Sequence, residues 1–139
     1  MIILDSNVIS ALMSPHQDAE VRGWLNNQPA SSLWTTSVNV LEINAGILLL
    51  PEGRRKDALL QSFFAVTSTM LGGRVLPFDL EAAEHAARLF ATRHLSGINK
   101  ETRDTQIAGI ALSRRATIAT RNLRDFDDLK IPIVNPWTA

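Results

Sequence analysis

Short apolar runs rich in β-branched residues alternate along this chain with longer segments of helical periodicity, and this alternation limits the possible folds most strongly. The runs lie at residues 1–4, 33–36, 74–78, 117–120 and 131–134. Their length and composition favour buried strands over helices. Strands that alternate with helices imply a parallel sheet that is covered on both faces. The sequence therefore predicts an α/β fold, namely a three-layer α/β/α sandwich around a mostly parallel five-stranded sheet.

The segments between these runs repeat apolar residues every three or four positions, as amphipathic helices do. Helices are predicted at residues 18–28, from about 37 to the break at 51, between 53 and 72, from 79 to 95 and at about 102–114. Asp18 and Asp79 are the expected N-caps of two of them. The expected apolar faces are Val38, Leu41, Ala45 and Leu48 on the second helix, and Ala83, Ala86, Ala87 and Phe90 on the fourth.

The composition sets the size of the fold and excludes several kinds of chemistry. With 139 residues and no repeat or linker-like segment, the chain is expected to form one domain over residues 1–139. It has no cysteine, which excludes disulfides, zinc–thiolate sites and thiol nucleophiles. Fourteen basic residues balance fourteen acidic ones, so binding of nucleic acid has to be argued from a local site. No apolar run approaches the roughly 20 residues of a membrane span, and we expect a cytoplasmic protein without a membrane partner.

Three acidic residues from distant segments are expected to meet at one edge of the sheet. Asp5 follows the first strand, Glu42 lies in the second turn of the helix after the second strand, and Asp104 opens the helix before the fourth strand. Ligands of open parallel sheets bind beyond the carboxyl ends of the strands. Three carboxylates in one cleft raise each other's pKa unless a cation neutralises them. Such oxygen ligands point to a hard divalent cation, Mg²⁺ or Mn²⁺, and to phosphodiester hydrolysis by metal-activated water.

The sequence around these residues resembles the motifs of a known family. The matching segments are ILDSNVI at residues 3–9, VLEI at 40–43, DTQIA at 104–108, ATRNLRDF at 119–126 and NPW at 135–137. The first four are similar to the motifs of the PIN-domain family, and the last resembles the tail of VapC relatives of the FitB type. The match spans nearly the whole chain. It implies a PIN-like fold and a magnesium-dependent endoribonuclease that acts as the toxin of a VapBC-type toxin–antitoxin pair.

The resemblance also implies a role for individual residues. The residues concerned are the metal ligands Asp5, Glu42 and Asp104, the further catalytic residues Asn122 and Asp125, and the supporting residues Ser6, Asn7 and Thr120. The implied metal is Mg²⁺, which Mn²⁺ can replace. The chain departs from many family members at Asn122, where they carry an aspartate, and Asp125 is the nearest carboxylate. The identity of the fourth acidic group therefore stays open.

The same resemblance implies the partners of the protein. They are an RNA substrate, a cognate antitoxin of the VapB or FitA kind, and a second copy of the chain in a homodimer. DNA would be bound only through the antitoxin complex. In VapC relatives, the helix pair that corresponds to residues 37–70 also clamps a segment of the antitoxin.

Other interpretations of these residues stay open from the sequence alone. Asp5 and Asp104 are also suitable acids for the N-terminal ends of helices, and Asn122 and Asp125 are typical turn residues. The alternative function is a PIN module with little nuclease activity, which acts mainly with a DNA-binding antitoxin in transcriptional autoregulation. A phosphatase of the haloacid-dehalogenase kind is disfavoured because it needs a second aspartate where Asn7 stands.

Overall fold

A five-stranded parallel sheet forms the centre of the molecule. The computed structural model describes residues 1–14, 16 and 18–139. The strands are β1 (Ile2–Leu4), β2 (Leu33–Thr36), β3 (Val75–Leu76), β4 (Thr117–Ala119) and β5 (Ile133–Val134). Their order in the sheet is β3-β2-β1-β4-β5, and every neighbouring pair is parallel. The predicted parallel five-stranded sheet is therefore confirmed.

Six α-helices connect the strands in the described part of the chain. They are α1 (Ser6–Met13), α2 (Ala19–Asn26), α3 (Ser37–Leu48), α4 (Arg54–Phe64), α5 (Leu80–Leu95) and α6 (Thr102–Arg114). A π-helical segment at Ala65–Met70 continues α4, and 3₁₀ turns lie at Ala30–Ser32 and Leu123–Phe126. Among the described residues, no helix combines the length and the apolar character needed to cross a membrane.

Different helices cover the two faces of the sheet. Leu4 and Ala119 lie in a core cluster with residues of α1, α2 and α4. Ile3 and Ile118 lie in a second cluster with residues of α5 and α6. This alternation follows from strand geometry, because successive side chains point to opposite faces. The predicted three-layer α/β/α arrangement is therefore confirmed.

The structure contains one helix that the sequence indicates only through Asp5 as a possible N-cap, and two strands are shorter than expected. The additional helix is α1, and its N-cap residue Asp5 accepts a hydrogen bond from the backbone N of Ser6 at 2.9 Å. The helix follows β1 so closely that no turn-forming residue separates them, and it is only eight residues long. The strands β3 and β5 pair with their neighbours over two residues each, so they are shorter than the predicted runs.

The predicted apolar face of α3 is wrong in three of its four residues. Val38 is buried, but Leu41, Ala45 and Leu48 are exposed, with exposed fractions of 63% for Leu41 and 54% for Leu48. The buried residues of α3 are Val38, Asn39 and Ile47. Apolar periodicity shows that a helix has an apolar side, but it does not show that this side meets the core. The helix therefore presents apolar side chains to the outside as well as to the interior.

A similar difference occurs on α5. Asp79 caps the helix as predicted, because its Oδ1 accepts a hydrogen bond from the backbone N of Ala82 at 2.9 Å. Of the predicted face, Ala86 is buried, whereas Ala87 and Phe90 are exposed. The buried residues of α5 are Ala82, Ala86 and Arg93. A buried charge such as Arg93 has no counterpart in an apolar pattern, so the sequence gives no indication of it.

Asp18 occupies the predicted N-cap position of α2, but its carboxyl group makes no bond to the helix backbone. Its Oδ2 instead accepts a hydrogen bond from Nε1 of Trp137 at 2.6 Å and lies 3.7 Å from Nη2 of Arg121. The Arg121 guanidinium also stacks 3.8 Å from the ring centre of Trp137. These contacts hold the carboxyl-terminal segment against α2, beside the end of β4.

The helices α5 and α6 approach each other so closely that Gly109 has no room for a side chain. A Cβ atom there would stand 2.5 Å from the backbone O of Ala82 and 2.7 Å from the Cβ of Ala86. Because backbone atoms cannot move aside as the end of a side chain can, Gly109→Ala would force the two helices apart.

We expect Gly109→Ala to lower the free energy of unfolding by about 1–3 kcal/mol, as overpacking does in other cores. Gly23→Ala is the matched control, since nothing lies within 4 Å of the position that its Cβ would take and the helix is exposed there. Helix propensity predicts that this control gains up to about 1 kcal/mol. Urea denaturation of the three proteins measures both values, and a Gly109→Ala protein as stable as the original would contradict the close packing.

Candidate functional site

A polar cavity lies at the carboxyl end of the sheet, where β1 and β4 end and α6 begins. Its volume is about 590 Å³. The residues that line it are Asp5, Ser6, Asn7, Ser10, Glu42, Asn99, Lys100, Glu101, Asp104, Asn122 and Asp125. The structure thus brings together the site residues predicted from the sequence. Thr120 does not line the cavity, but it is buried and bonds to Asp5.

Donors from three parts of the chain hold the Asp5 carboxyl group in place. Its Oδ1 accepts hydrogen bonds from the backbone N of Ser6 at 2.9 Å and from Nδ2 of Asn39 at 3.0 Å. Its Oδ2 accepts from Oγ1 of Thr120 at 2.8 Å and from Nδ2 of Asn7 at 3.5 Å. Burial raises the pKa of Asp5, while the bonds from Thr120, Ser6 and Asn39 act in the opposite direction. The carboxyl group therefore has a fixed orientation.

Asn39 is absent from the residues predicted for the site, yet it connects two of them. Its Nδ2 also donates to Oγ of Ser6 at 2.9 Å, and this Oγ donates to Oε2 of Glu42 at 3.1 Å. Thr36 fixes the amide, since its Oγ1 donates to Oδ1 of Asn39 at 2.6 Å and accepts from the Asn39 backbone N at 3.1 Å. The sequence signal that could have indicated Asn39 is Thr36, because an N-cap threonine commonly bonds to the backbone N of the residue three positions later.

Thr120 joins the segment after β4 to the start of α1. Its Oγ1 accepts hydrogen bonds from Nδ2 of Asn7 at 3.1 Å and from the backbone N of Asn122 at 3.0 Å. Asn7 in turn accepts at Oδ1 from the backbone N of Arg121 at 3.1 Å. These bonds fix the beginning of the segment that carries Asn122, which is exposed, and Asp125, which is half-buried.

Asp104 and Asp125 add further acidic groups to the lining of the cavity. Asp104 lies in the first turn of α6, and Asp125 lies in the 3₁₀ turn after β4. Burial raises the pKa of Asp104 to about 7, together with the negative charges of Asp125 and Asp5 and, to a smaller extent, of the two glutamates that line the cavity. Asp104 therefore holds its proton near neutral pH unless a positive charge enters the cavity.

Glu101 and Lys100 also line the cavity, and neither is predicted from the sequence. Both lie in the connection between α5 and α6, where no periodic pattern assigns a direction to a side chain. The cavity thus contains five carboxylates and one ammonium group, and its net charge is negative when all of them are ionised.

This set of donors fits a hard divalent cation. No three carboxylate or imidazole groups among the described residues stand close enough together to enclose an ion by themselves. Mg²⁺ does not need such a cage, because it keeps several waters and is commonly held by one or two carboxylates. All the donors that line the cavity carry oxygen or amide groups apart from Lys100, and a cation there would offset the neighbouring negative charges that, after burial, help to raise the pKa of Asp104.

An apolar groove of about 560 Å³ opens beside the cavity, between α1, α3 and α4. Its apolar lining consists of Met13, Ile43, Ile47, Leu50 and Leu59. Ser6, Ser10 and Glu42 line both the groove and the cavity, and Arg55 supplies a basic group in the groove. A chain bound in the groove would therefore reach the carboxylates.

Comparison with known proteins shows that this architecture has close counterparts. The family model described as PIN domain matches residues 2–132. The plasmid stability protein StbB of Pseudomonas syringae pv. tomato is 37% identical over the whole of both chains. The VapC ribonuclease Y4jK of Sinorhizobium fredii is 34% identical, with 99% of this chain and 98% of that protein covered. Toxin FitB of Neisseria gonorrhoeae is 30% identical, with 99% of each covered.

Solved structures agree with these sequence matches. The structure of FitAcB from Neisseria gonorrhoeae aligns with a TM-score of 0.89 and 29% identity over the whole of both chains. The structure of FitAB bound to an IR36 DNA fragment aligns with a TM-score of 0.88 and 30% identity, over 99% of this chain and 96% of that one.

The raised pKa of Asp104 predicts how stability changes with pH. An acid whose pKa is higher in the folded protein than in the unfolded chain stabilises the fold when it is protonated, and this contribution is lost as the pH rises from 3.8 to about 7. We expect the metal-free protein to lose stability over this window relative to Asp104→Asn, which cannot ionise there. Thermal unfolding in chelator at a series of pH values measures the difference. Parallel curves for the two proteins would contradict the raised pKa.

Proposed function

We propose that this chain, which belongs to the PIN-domain family, is a cytoplasmic metal-dependent endoribonuclease that acts as the toxin of a VapBC-type toxin–antitoxin pair. One PIN domain would occupy residues 1–139. The observation that carries the proposal is the polar cavity that Asp5, Glu42, Asp104 and Asp125 line together. Clustered carboxylates are costly for a fold and are expected where they perform chemistry.

In this proposal, Asp5, Glu42 and Asp104 would hold Mg²⁺ either directly or through its water molecules, and Mn²⁺ can substitute for it. When bound, the metal supplies Lewis-acid chemistry: it lowers the pKa of a water molecule and offsets charge on the phosphodiester. A cation bound in the cavity would favour the ionised form of Asp104, because its positive charge would offset the charges of the neighbouring acids that help to raise the Asp104 pKa. The site should therefore load more readily as the pH rises through about 7.

The supporting residues set the directions of the ligands before any substrate arrives. Thr120 and Asn7 bond to one oxygen of Asp5, so its carboxyl plane is fixed. Ser6 donates to Glu42 and in this way ties α3 to α1 at the cavity. Such bonds to the outer side of metal ligands commonly change metal affinity by about 10- to 100-fold.

Asp125 is our candidate for the fourth carboxylate. It is half-buried in the cavity wall, and its charge contributes to the raised pKa of both Asp104 and Asp5. Asn122 lines the same cavity and can orient water through its amide, but it is exposed and carries no charge. A carboxylate at position 125 would thus supply the acid that many family members carry at the position of Asn122.

We further propose that the apolar groove receives a segment of a VapB- or FitA-like antitoxin. Leu41 and Leu48 lie exposed on α3, and Phe64 lies exposed at the end of α4, so the helix pair beside the groove offers uncovered apolar surface. Such surface commonly marks a site for a protein partner. DNA would be bound only by the complex with the antitoxin, and the chain would form a homodimer. The structures of FitAB and FitAcB support the pairing with an antitoxin.

A second function is a module with little nuclease activity that acts with its antitoxin in transcriptional autoregulation. The observation that favours it is the departure at Asn122, which leaves the cavity without an acid at that position. The buried Asp5 and the raised pKa of Asp104 favour catalysis, because a scaffold gains nothing from clustering acids.

The cleavage of RNA tests the proposed function. Antitoxin-free protein is incubated with a mixed panel of RNA and DNA in Mg²⁺, in Mn²⁺ and in chelator, beside folded Asp104→Asn. We expect metal-dependent cleavage of RNA that the variant abolishes, since it removes a metal ligand. No cleavage by folded protein on any substrate would favour the autoregulatory module, and full activity of Asp104→Asn would remove the proposed site.

The role of Asp125 is tested by Asp125→Asn beside Asp57→Asn, which makes the same change on the exposed surface of α4. We expect Asp125→Asn to lower the cleavage rate by about 10- to 100-fold, as loss of a group that orients a metal site does. Asp57→Asn should leave the rate unchanged. Equal rates for the two variants would show that three carboxylates suffice and that Asp125 is a turn residue.

A further inference from the structure

Arg93 is a buried cation that lies outside every predicted motif. Its side chain is 3% exposed, and it leaves α5 towards the 3₁₀ turn after β4. Its Nε donates to Oδ2 of Asp128 at 2.7 Å, and its Nη2 donates to Oδ1 at 2.8 Å. This two-point contact holds the pKa of Asp128 below its usual range, so both partners are charged.

The same guanidinium contacts two of the segments that bring acids to the cavity. Its Nη1 donates to Oγ1 of Thr105 at 3.0 Å, and Thr105 follows Asp104 in the first turn of α6. Its Nη2 also donates to the backbone O of Asp125 at 3.4 Å. One side chain therefore joins α5, the start of α6 and the segment at residues 122–128.

Lys100 holds this segment from another direction. Its Nζ donates to the backbone O of Arg124 and lies 3.7 Å from Oδ1 of Asp127. Two cations thus fasten a short turn that has Asp125 at its centre. Without them, the repulsion between Asp125 and Asp104 would favour a wider separation of the two acids.

Stability alone does not account for the burial of Arg93 in this ion pair. The desolvation of the buried Arg93 offsets part of its attraction to Asp128, whose side chain is 23% exposed, and apolar replacements of ion pairs with a buried member are often as stable. The planar guanidinium, however, presents its donors in fixed directions, and here they point at three acceptors on two segments. These directed hydrogen bonds fix the distance between the start of α6 and the segment at residues 122–128, which an apolar contact would not fix.

We propose that Arg93 is a positioning residue, which fixes Asp104 and Asp125 relative to each other and thereby helps the cavity to bind a divalent cation. The proposal rests on the metal-dependent function proposed above. Arg93 does not line the cavity, and it acts through Thr105 and through the turn that Asp128 anchors.

The test measures the binding of Mn²⁺ alone by titration calorimetry, without RNA. Arg93→Lys keeps the positive charge but loses the planar guanidinium and its several directed N–H donors. The double variant Arg93→Met with Asp128→Leu replaces the ion pair by apolar groups, so a purely structural role would be rescued. Arg114→Met is the matched control, because Arg114 and Asp79 form another ion pair between α6 and α5, 3.8 Å apart, away from the cavity. Urea denaturation in chelator reports the stability of each protein.

We expect Arg93→Lys and the double variant to bind Mn²⁺ about tenfold or more weakly, in the range found for groups that orient metal ligands. The double variant should bind weakly even where its metal-free stability matches the original, and Arg114→Met should bind normally. Original affinity in both Arg93 variants overturns the inference and leaves the proposed function standing. If the double variant does not fold, the Mn²⁺ affinity of Arg93→Lys alone decides: an affinity equal to that of the original protein overturns the inference. Absence of Mn²⁺ binding by the unaltered chain overturns the proposed function and the inference together.

Discussion

The burial of carboxylates at the end of the sheet, together with their mutual repulsion, is the constraint on which the arrangement of this molecule depends. Asp5 is buried, and Asp104 has a pKa of about 7 because of burial and its acidic neighbours. Neutral hydrogen-bond donors around Asp5 offset the free-energy cost of its burial. Near Asp125, the cations Arg93 and Lys100 hold the turn through its backbone oxygens. A divalent cation in the cavity would supply the remaining positive charge, so the proposed chemistry and the electrostatics of the fold have the same cause.

The sheet and the meeting of the three motif acids could be predicted from the sequence, because parallel strands direct their carboxyl ends to one edge. Asp5 and Asp104 are adjacent in sequence to apolar segments whose positions the periodicity assigns. Other parts of the site could not be predicted. Asn39 lies on the buried side of a helix whose apolar stripe suggested the opposite orientation, and Arg93 forms contacts over long sequence distances that no local pattern records.

Helix α3 exposes leucines that its apolar periodicity assigned to the core, and this exposure bears on function. Its exposed leucines satisfy the periodicity of a core-facing helix but meet no part of the described chain that covers them. A helix with apolar side chains on two sides is expected where a second surface is reserved for a partner. The groove beside it leads to Glu42, so a partner bound there would lie next to the carboxylates.

The most direct test of the central claim is an anomalous difference map from crystals grown with Mn²⁺. The account predicts one strong peak in the cavity, within coordination distance of carboxylate oxygens of Asp5 and Asp104, with Asp125 on the same side. A map without a peak there, from crystals in which Mn²⁺ is bound elsewhere or not at all, would contradict the claim that these acids form a metal site.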